Sequence, residues 1–571
     1  MLRQGFLIAA LATISVVAPA AAQTAAPAAP NAPENPISPS VPENTVAPAS
    51  DVAAPTTSEV APVTVSVSRH VRVQALSDRD ETRYRAAFSA IDAHNWQAVR
   101  GALAGVDDDS LVGVVKGRML LSRAYRPSYA ELTRWLEQYR SLPLAEEVYD
   151  RAMDARPRRR RARYHPPQPI SGPSRLPTGS APAVFGDSPQ ARIAIARIDE
   201  AMWTGDFAGA RQLALNASLG GRSGDANWRL GLMAYREHDY AEAVRRFESA
   251  AQWGHFGGWA QASVHYWAAR SRLAAGEPEG VVLHLEQAAL RPWTFYGQMA
   301  EAQLGRETSL DFTPPRLDEN DAQRLLDRHA GARRAAALGQ LGRLSDVEIE
   351  LRRVHGELTP NEDRTYLALS IALAAPAAQV RAAEFGTRDL AAGFCPTTTF
   401  EPDGGFTLDR ALVFAIVRQE SAYNPRAVSP SRARGLMQLL PSTAQDLEPR
   451  GFRRDPTQLY DPGLNLRLGQ EYVRWLMDRF HQDGDLAQVF AAYNGGPGWL
   501  SRWLATQPAQ YDPLLLLEML PRAESRDYAE RVLSHMALCR KAYGQPTPEL
   551  NRLASGATAS YEALDGRVAA R

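Results

Sequence analysis

The sequence predicts an all-α fold, and three observations carry that reading. Apolar residues recur at three-and-four spacing through most of the chain after residue 75, sustained alternation of Val, Ile and Thr is nearly absent there, and a short motif recurs at a 33-residue interval. The length of 571 residues, 45% of them hydrophobic, implies more than one domain. The 64 basic side chains balance 64 acidic ones and the mean hydropathy is −0.33, so the chain as a whole offers no positive field to attract nucleic acid, and no nucleic-acid partner is expected. Only Lys116 and Lys541 are lysines, which reads as a coding bias toward arginine.

The first element reads as an export signal. Arg3 precedes an apolar run from Phe6 to Val17, and Ala20-Ala21-Ala22 precedes Gln23, so residues 1–22 read as a signal peptide. The run falls well short of the ~20 apolar residues needed to span a bilayer. No other segment is apolar enough to span, and the first cysteine is Cys395, so no lipid-bearing cysteine follows the signal. A soluble, periplasmic protein is expected. Residues 23–70, rich in Ala, Pro, Thr, Val and Ser, read as a disordered tether because they bury too little apolar surface to offset chain entropy.

An N-terminal helical segment is expected over 71–155, where Leu120, Leu121 and Tyr125 are followed by Leu132, Trp135, Leu136 and Tyr139 at helical spacing. Arg158 to Arg161 with Pro166, Pro167, Pro169, Pro173 and Pro177 mark a basic, extended linker over 156–183. No task is assigned to either segment.

Residues 184–395 read as a helical solenoid. Gly205-Asp206-Phe207 with Ala210 recurs as His238-Asp239-Tyr240 with Ala243, the period of a helix-hairpin array. The second copy resembles a tetratricopeptide unit through Trp228, Leu230, Gly231, Tyr235, Ala243 and Phe247, and Ala275-Gly276-Glu277 opens a looser third turn. Trp253, Trp259, Tyr266 and Trp267 are read as core at this spacing, with a sugar-stacking surface as the other option. Cys395 and Cys539 bracket the segment that follows; a disulfide and two separate buried thiols both remain open.

The chemistry is concentrated after residue 396. Leu408, Leu412, Ala415, Ile416 and Gln419 share one helical face, and Asn424-Pro425 stops the helix. Glu420 falls on or beside that face in the last turn, where desolvation and the negative end of the helix dipole both raise a carboxyl pKa. That is the setting a general acid requires at neutral pH. Further blocks follow in order: Ser421, Tyr423, Asn424, Pro425 and Ser429-Pro430; the run Gly435-Leu436-Met437-Gln438-Leu439-Leu440-Pro441-Ser442-Thr443-Ala444; Asn465, Leu466, Gly469 and Tyr472; Ala491-Ala492-Tyr493-Asn494-Gly495-Gly496-Pro497-Gly498; and Leu520-Pro521 with Glu524-Ser525-Arg526-Asp527-Tyr528.

These blocks, from roughly Thr407 to Leu538, resemble the catalytic domain of the soluble lytic murein transglycosylases, which is lysozyme-like and related to goose-type lysozyme. Ala288, Ala289, Pro292, Thr294-Phe295-Tyr296-Gly297 and Leu304-Gly305 resemble the helical superhelix that precedes it in that family. The resemblance implies a superhelix followed by a lysozyme-like α-helical domain over 396–545, leaving 546–571 as a C-terminal tail. It implies Glu420 as the catalytic acid, Ser429 and Gln438 at the sugar near the scissile bond, Tyr493 near the acid, and Glu524 in the cleft with a binding role. Tyr472 and Leu440 are further cleft candidates, while Asn494 and Met437 fall at supporting positions. The chain departs from the family pattern at Leu440, Gly496 and Ser525, where methionine, alanine and threonine are common.

Glycosidases usually use two carboxylates, whereas this segment offers only Glu420 in an acid-like setting, which suits transglycosylation. The implied reaction cleaves the MurNAc–GlcNAc β-1,4 bond of peptidoglycan, leaves 1,6-anhydroMurNAc ends and needs no metal or organic cofactor. The expected partners are glycan strands, with cell-wall synthesis or division proteins as further candidates. A hydrolytic muramidase using Glu524, Asp446 or Asp461 to position water is the alternative enzyme, and a non-catalytic solenoid scaffold is the alternative of another class.

Overall fold

In the computed structural model, the described residues are 73–157, 167, 189–218, 223–254, 257–386, 388–449, 451–480, 485–508 and 512–566. The expected signal peptide and tether lie outside them, as does the 156–183 linker apart from residues 156, 157 and 167. Among the described residues the fold is all-α; pairing of extended chain is limited to the isolated bridges Val428 with Arg434, Arg434 with Leu439 and Asp485 with Ser560.

The 33-residue motif is a helix-hairpin turn. Gly205 and His238 both hold positive φ (80° and 61°), and the next residue in each copy caps a helix: Asp206 accepts from the Gly209 amide at 2.8 Å and Asp239 from the Glu242 amide at 3.1 Å. A left-handed residue followed by a capping aspartate is a short way to reverse one helix into the next. The same turn occurs at His94-Asn95, where φ is 56° and Asn95 caps helix Trp96–Leu103. Ala210 and Ala243 are fully buried, and Phe247 packs edge-on against Trp228 with ring centroids 5.3 Å apart. Tyr266 and Trp267 are core residues, whereas Trp253 is 43% exposed.

Helices Asp78–Asp92, Trp96–Leu103, Val112–Leu121, Tyr129–Tyr139 and Ala145–Asp154 share one apolar core with the helices between Glu319 and Phe385, joining Tyr84, Leu132 and Trp135 to Leu325, Val347 and Tyr366. Polar contacts fix the seam. Gln340 Oε1 accepts from the amides of Ala75 and Leu76 at 2.7 Å, and Arg333 pairs with Asp108 at 2.7 Å.

A second core runs from Leu232 to Ala300 into the C-terminal domain. That domain is built from α1 (Arg410–Ser421), α2 (Pro441–Leu447), α3 (Pro462–Arg479), α4 (Leu486–Gly495), α5 (Pro497–Leu504), α6 (Pro513–Glu518), α7 (Ala523–Ala542) and α8 (Pro548–Ala554). The Thr294-Phe295-Tyr296-Gly297 block is where the solenoid grips it. Thr294 caps helix Phe295–Gln303, Tyr296 Oη receives a 3.0 Å bond from Trp267 Nε1 and donates to Glu518 on α6, and Gln298 Nε2 donates to Ser534 Oγ on α7 at 2.8 Å. Arg270 with Asp512 at 2.6 Å and Lys541 with Glu301 at 3.2 Å extend the grip. Burial pushes the Glu518 carboxyl above the usual carboxylate range.

Cys395 and Cys539 form a disulfide, their Cα atoms 4.9 Å apart, which ties α7 to the segment leading into α1. The described part of the C-terminal tail is packed rather than free. Asp409, at the start of α1, accepts from the amides of Leu564 and Asp565 at 2.9 and 3.1 Å and pairs with the buried Arg540 of α7 at 3.2 Å.

Candidate active site

Helix α1 is buried from Ala411 to Gln419, so its position is set by packing, chiefly against α7, and Glu420 emerges at its last turn. The helix stops there because Ala422 and Tyr423 both take positive φ, 48° and 63°, ahead of Asn424-Pro425. The Glu420 side chain is half-buried. Burial pushes its carboxyl up to about 7; a hydrogen bond from Tyr528 pulls the other way, and the negative charge of Glu524 adds to the rise.

Tyr528 Oη donates to Glu420 Oε1 at 2.7 Å, leaving Oε2 as the oxygen able to carry the acid proton. The Tyr528 ring stacks on Tyr493 at 6.2 Å and 10°, and Tyr493 in turn meets Tyr472 of α3 at 5.3 Å. Tyr493 Oη donates to the Met437 carbonyl at 2.7 Å, so α4 holds the loop that follows the acid. Burial and the nearby Glu420 charge keep both Tyr493 and Tyr528 protonated, well above the usual phenol pKa.

That loop, 427–440, is rigid for reasons visible in its residues. Gly435 sits at φ 81°, and a Cβ there would strike the Leu459 carbonyl and the Asn465 amide. Asn465, fully buried on α3, accepts from the Met437 amide at 2.8 Å and donates to the carbonyls of Arg434 and Leu459 at 3.0 and 2.9 Å. Gly469 leaves room for the Met437 side chain one turn further along the same helix. The Asn465…Gly469 spacing is therefore a clamp on the Gly435-Leu436-Met437-Gln438 run.

The sequence-derived candidates fall as follows. Gln438, at φ 46°, donates from Nε2 to the carbonyls of Gly435 and Ala427 at 2.8 and 3.1 Å. Ser429 Oγ accepts from the Ala433 amide at 3.0 Å and shapes the turn before Arg434. Leu440 is 40% exposed at the head of α2. Asn494 Oδ1 accepts from Ser525 Oγ at 2.8 Å, joining the end of α4 to the first turn of α7, where Glu524 is exposed. Glu420, Tyr493, Tyr472 and Met437 thus form one connected set, with Glu524 acting on the acid through its charge. Among the described residues the hydrogen bond of Glu420 goes to Tyr528, and Ser429 serves its own turn.

Of the alternative water-positioning carboxylates, Asp461 caps α3 by accepting from the Leu464 amide at 2.9 Å, and Asp446 is exposed and faces Arg453 at 3.7 Å. Tyr528, the direct partner of Glu420, is not among the site residues that the sequence singles out. A signal was present: Tyr528 lies four residues after Glu524, on the same face of one helix.

Residues 399–514 match the family model described as the transglycosylase SLT domain. The soluble lytic murein transglycosylase of Salmonella typhimurium is 36% identical over 145 residues, which is 25% of this chain and 22% of the relative. A putative soluble lytic murein transglycosylase of Haemophilus influenzae is 32% identical over 157 residues, 26% of each chain. The sequence match thus spans about a quarter of these relatives' length. The crystal structure of the 70 kDa soluble lytic transglycosylase of Escherichia coli superposes with a TM-score of 0.58 over 82% of this chain and 98% of that one, at 19% identity. That of the Pseudomonas aeruginosa lytic transglycosylase Slt gives 0.51 over 82% and 74%, at 20% identity. At these identities the structural likeness speaks to the fold.

Proposed function

With the SLT domain as the premise, we propose that this protein is a lytic transglycosylase that cleaves the MurNAc–GlcNAc β-1,4 bond of peptidoglycan with Glu420 as its single acid and base. The observation that carries the reading is Glu420 itself. It is a half-buried carboxyl pushed up to about 7, bonded to Tyr528 through one oxygen only.

Glu420 protonates the bridging oxygen, the C1–O bond breaks, and GlcNAc departs with its 4-hydroxyl. The carboxylate then takes the proton of the MurNAc C6 hydroxyl, whose oxygen bonds to C1. One proton is borrowed and returned, no water is consumed, and the new end is 1,6-anhydroMurNAc. A 2-acetamido group stabilises the cationic carbon between the two steps. The two half-reactions ask the same group to be acid and then base, and a pKa near working pH serves both.

Gln438, Tyr493 and Tyr472 border the sugar on either side of the acid, Ser429 and Leu440 lie on the wall of the 427–440 loop, and Glu524 contacts the glycan or its peptide. Met437 and Asn494 hold these residues in place. The substrate places the enzyme in the periplasm, which accords with the leader-like start and the Cys395–Cys539 bond. Among the described residues no helix is long and apolar enough to cross a membrane. Synthases or division proteins of the cell wall are its proposed partners.

The test is the mass of the soluble fragments released from peptidoglycan sacculi. Anhydro ends, lighter than reducing ends by one water, support the reading; reducing ends make the protein a hydrolase, with Glu524 the carboxylate to examine as water-positioning base.

A further inference from the structure

Helix α3 presents two faces. Leu464, Leu468, Val473 and Leu476 are buried, while Arg474, Trp475, Asp478 and Arg479 face solvent. Trp475 stands out on the outer face, because 44% of so large a ring remains exposed. Single exposed apolar side chains are common and by themselves mean nothing. Trp475, however, is held in a fixed orientation: it stacks on Tyr472 at 5.9 Å and 13°, one helical turn earlier, and the Arg479 guanidinium sits 5.7 Å from its ring centroid, one turn later.

The stacked pair is the outer end of a continuous series. Glu420 bonds Tyr528, Tyr528 stacks on Tyr493 at 6.2 Å, Tyr493 meets Tyr472 at 5.3 Å, and Tyr472 stacks on Trp475. Each ring up to Tyr472 is at least half-buried, and exposure rises only at Trp475. An aromatic ring that carries this series out into solvent is suited to the apolar face of a pyranose ring, whose hydroxyl and acetamido groups can stay in water.

Resting on the glycan reading above, we propose that Trp475 is a distal sugar-binding platform, engaging an N-acetylated sugar of the same strand several rings away from the bond at Glu420. Arg479 steadies the ring and offers donors to the sugar's polar groups. The platform acts on strand length: a short fragment bound across the acid does not reach it, and a long strand does.

The test uses the full chain carrying Glu420→Gln, so that ligand persists, titrated with short and with long peptide-free glycan strands of the same composition. Adding Trp475→Ala lowers affinity for long strands about three- to ten-fold, the worth of one aromatic contact, and leaves short-strand affinity unchanged. Trp475→Phe restores most of the loss. A melting temperature equal to that of the parent verifies that the exposed ring was removed without disturbing the core. Unchanged long-strand affinity, or an equal loss on both lengths, overturns the platform alone. Failure of the Glu420→Gln parent to bind either length overturns the glycan reading, and the platform with it.

Discussion

Tyr528 on α7 donates a 2.7 Å hydrogen bond to Glu420 on α1, so the second helix of the pair opposes the rise in proton affinity that burial gives the acid carried by the first. The bond favours the charged carboxylate, against the burial that favours the neutral acid. Tyr528→Phe removes the restraint. We expect the alkaline limb of the kcat against pH profile to move to higher pH, and kcat at neutral pH to fall on the order of ten-fold through lost positioning. A limb that stays in place would mean that Tyr528 does not act through Glu420.

The raised pKa of Glu420 also makes a stability statement. In the unfolded chain the carboxyl ionises near its ordinary value, whereas the folded protein retains the proton up to about 7. Between those values the folded state binds more protons, so stability contributed by this group is full at pH 4 and is lost as pH rises toward 7. Glu420→Gln, which cannot ionise, should therefore unfold at a higher temperature than the parent at pH 8. The gain is on the order of 1–3 kcal/mol, discounted for the partial exposure of the group, and the two proteins should converge near pH 4. Melting curves at the two pH values measure it.

Gly435 and Asn465 are coupled through the 427–440 loop. Gly435→Ala places a side chain at φ 81° against the Leu459 carbonyl and should cost roughly 2–4 kcal/mol. Asn465→Ala leaves the Met437 amide and the carbonyls of Arg434 and Leu459 without their partner, costing roughly 1–3 kcal/mol. Chemical denaturation reads both costs. Activity of Asn465→Ala at a temperature where it remains folded should fall further than stability does, because the loop carries Gln438.

The disulfide closes 144 residues of chain and ties α7, with Tyr528 and Glu524, to the entry of α1. Replacing Cys395 and Cys539 together by serine should lower the unfolding free energy by about 2–4 kcal/mol, and reductant should lower the denaturation midpoint of the parent but not of the double variant.

How much of this was legible in the sequence depended on whether a residue's role is local. The helical period revealed α1, and the asparagine-proline stop placed Glu420 at its end, because both signals lie within a few turns of chain. The Asp206 and Asp239 caps were visible as a repeat for the same reason. Tyr528 was not legible as the partner of Glu420, since the bond crosses 108 residues and depends on how α1 and α7 pack. The shared core of residues 76–152 and 325–392 was equally hidden. Amphipathic faces announce that they are buried, but not against what. Ser429 has a local role as well as the one expected of it at the sugar: its hydroxyl accepts from the Ala433 amide in its own turn and keeps its own proton to donate. The pairing of Cys395 with Cys539 was open because two cysteines and a spacing do not fix a geometry.

The central claim, that Glu420 alone serves as acid and base and that a C6 hydroxyl takes the place of water, is tested most directly in heavy-oxygen water. Sacculi digested by the full chain should release fragments with 1,6-anhydroMurNAc ends and no heavy oxygen, and Glu420→Gln should release none. Fragments bearing heavy oxygen at a reducing C1, or release by Glu420→Gln at the parent's rate, would contradict it.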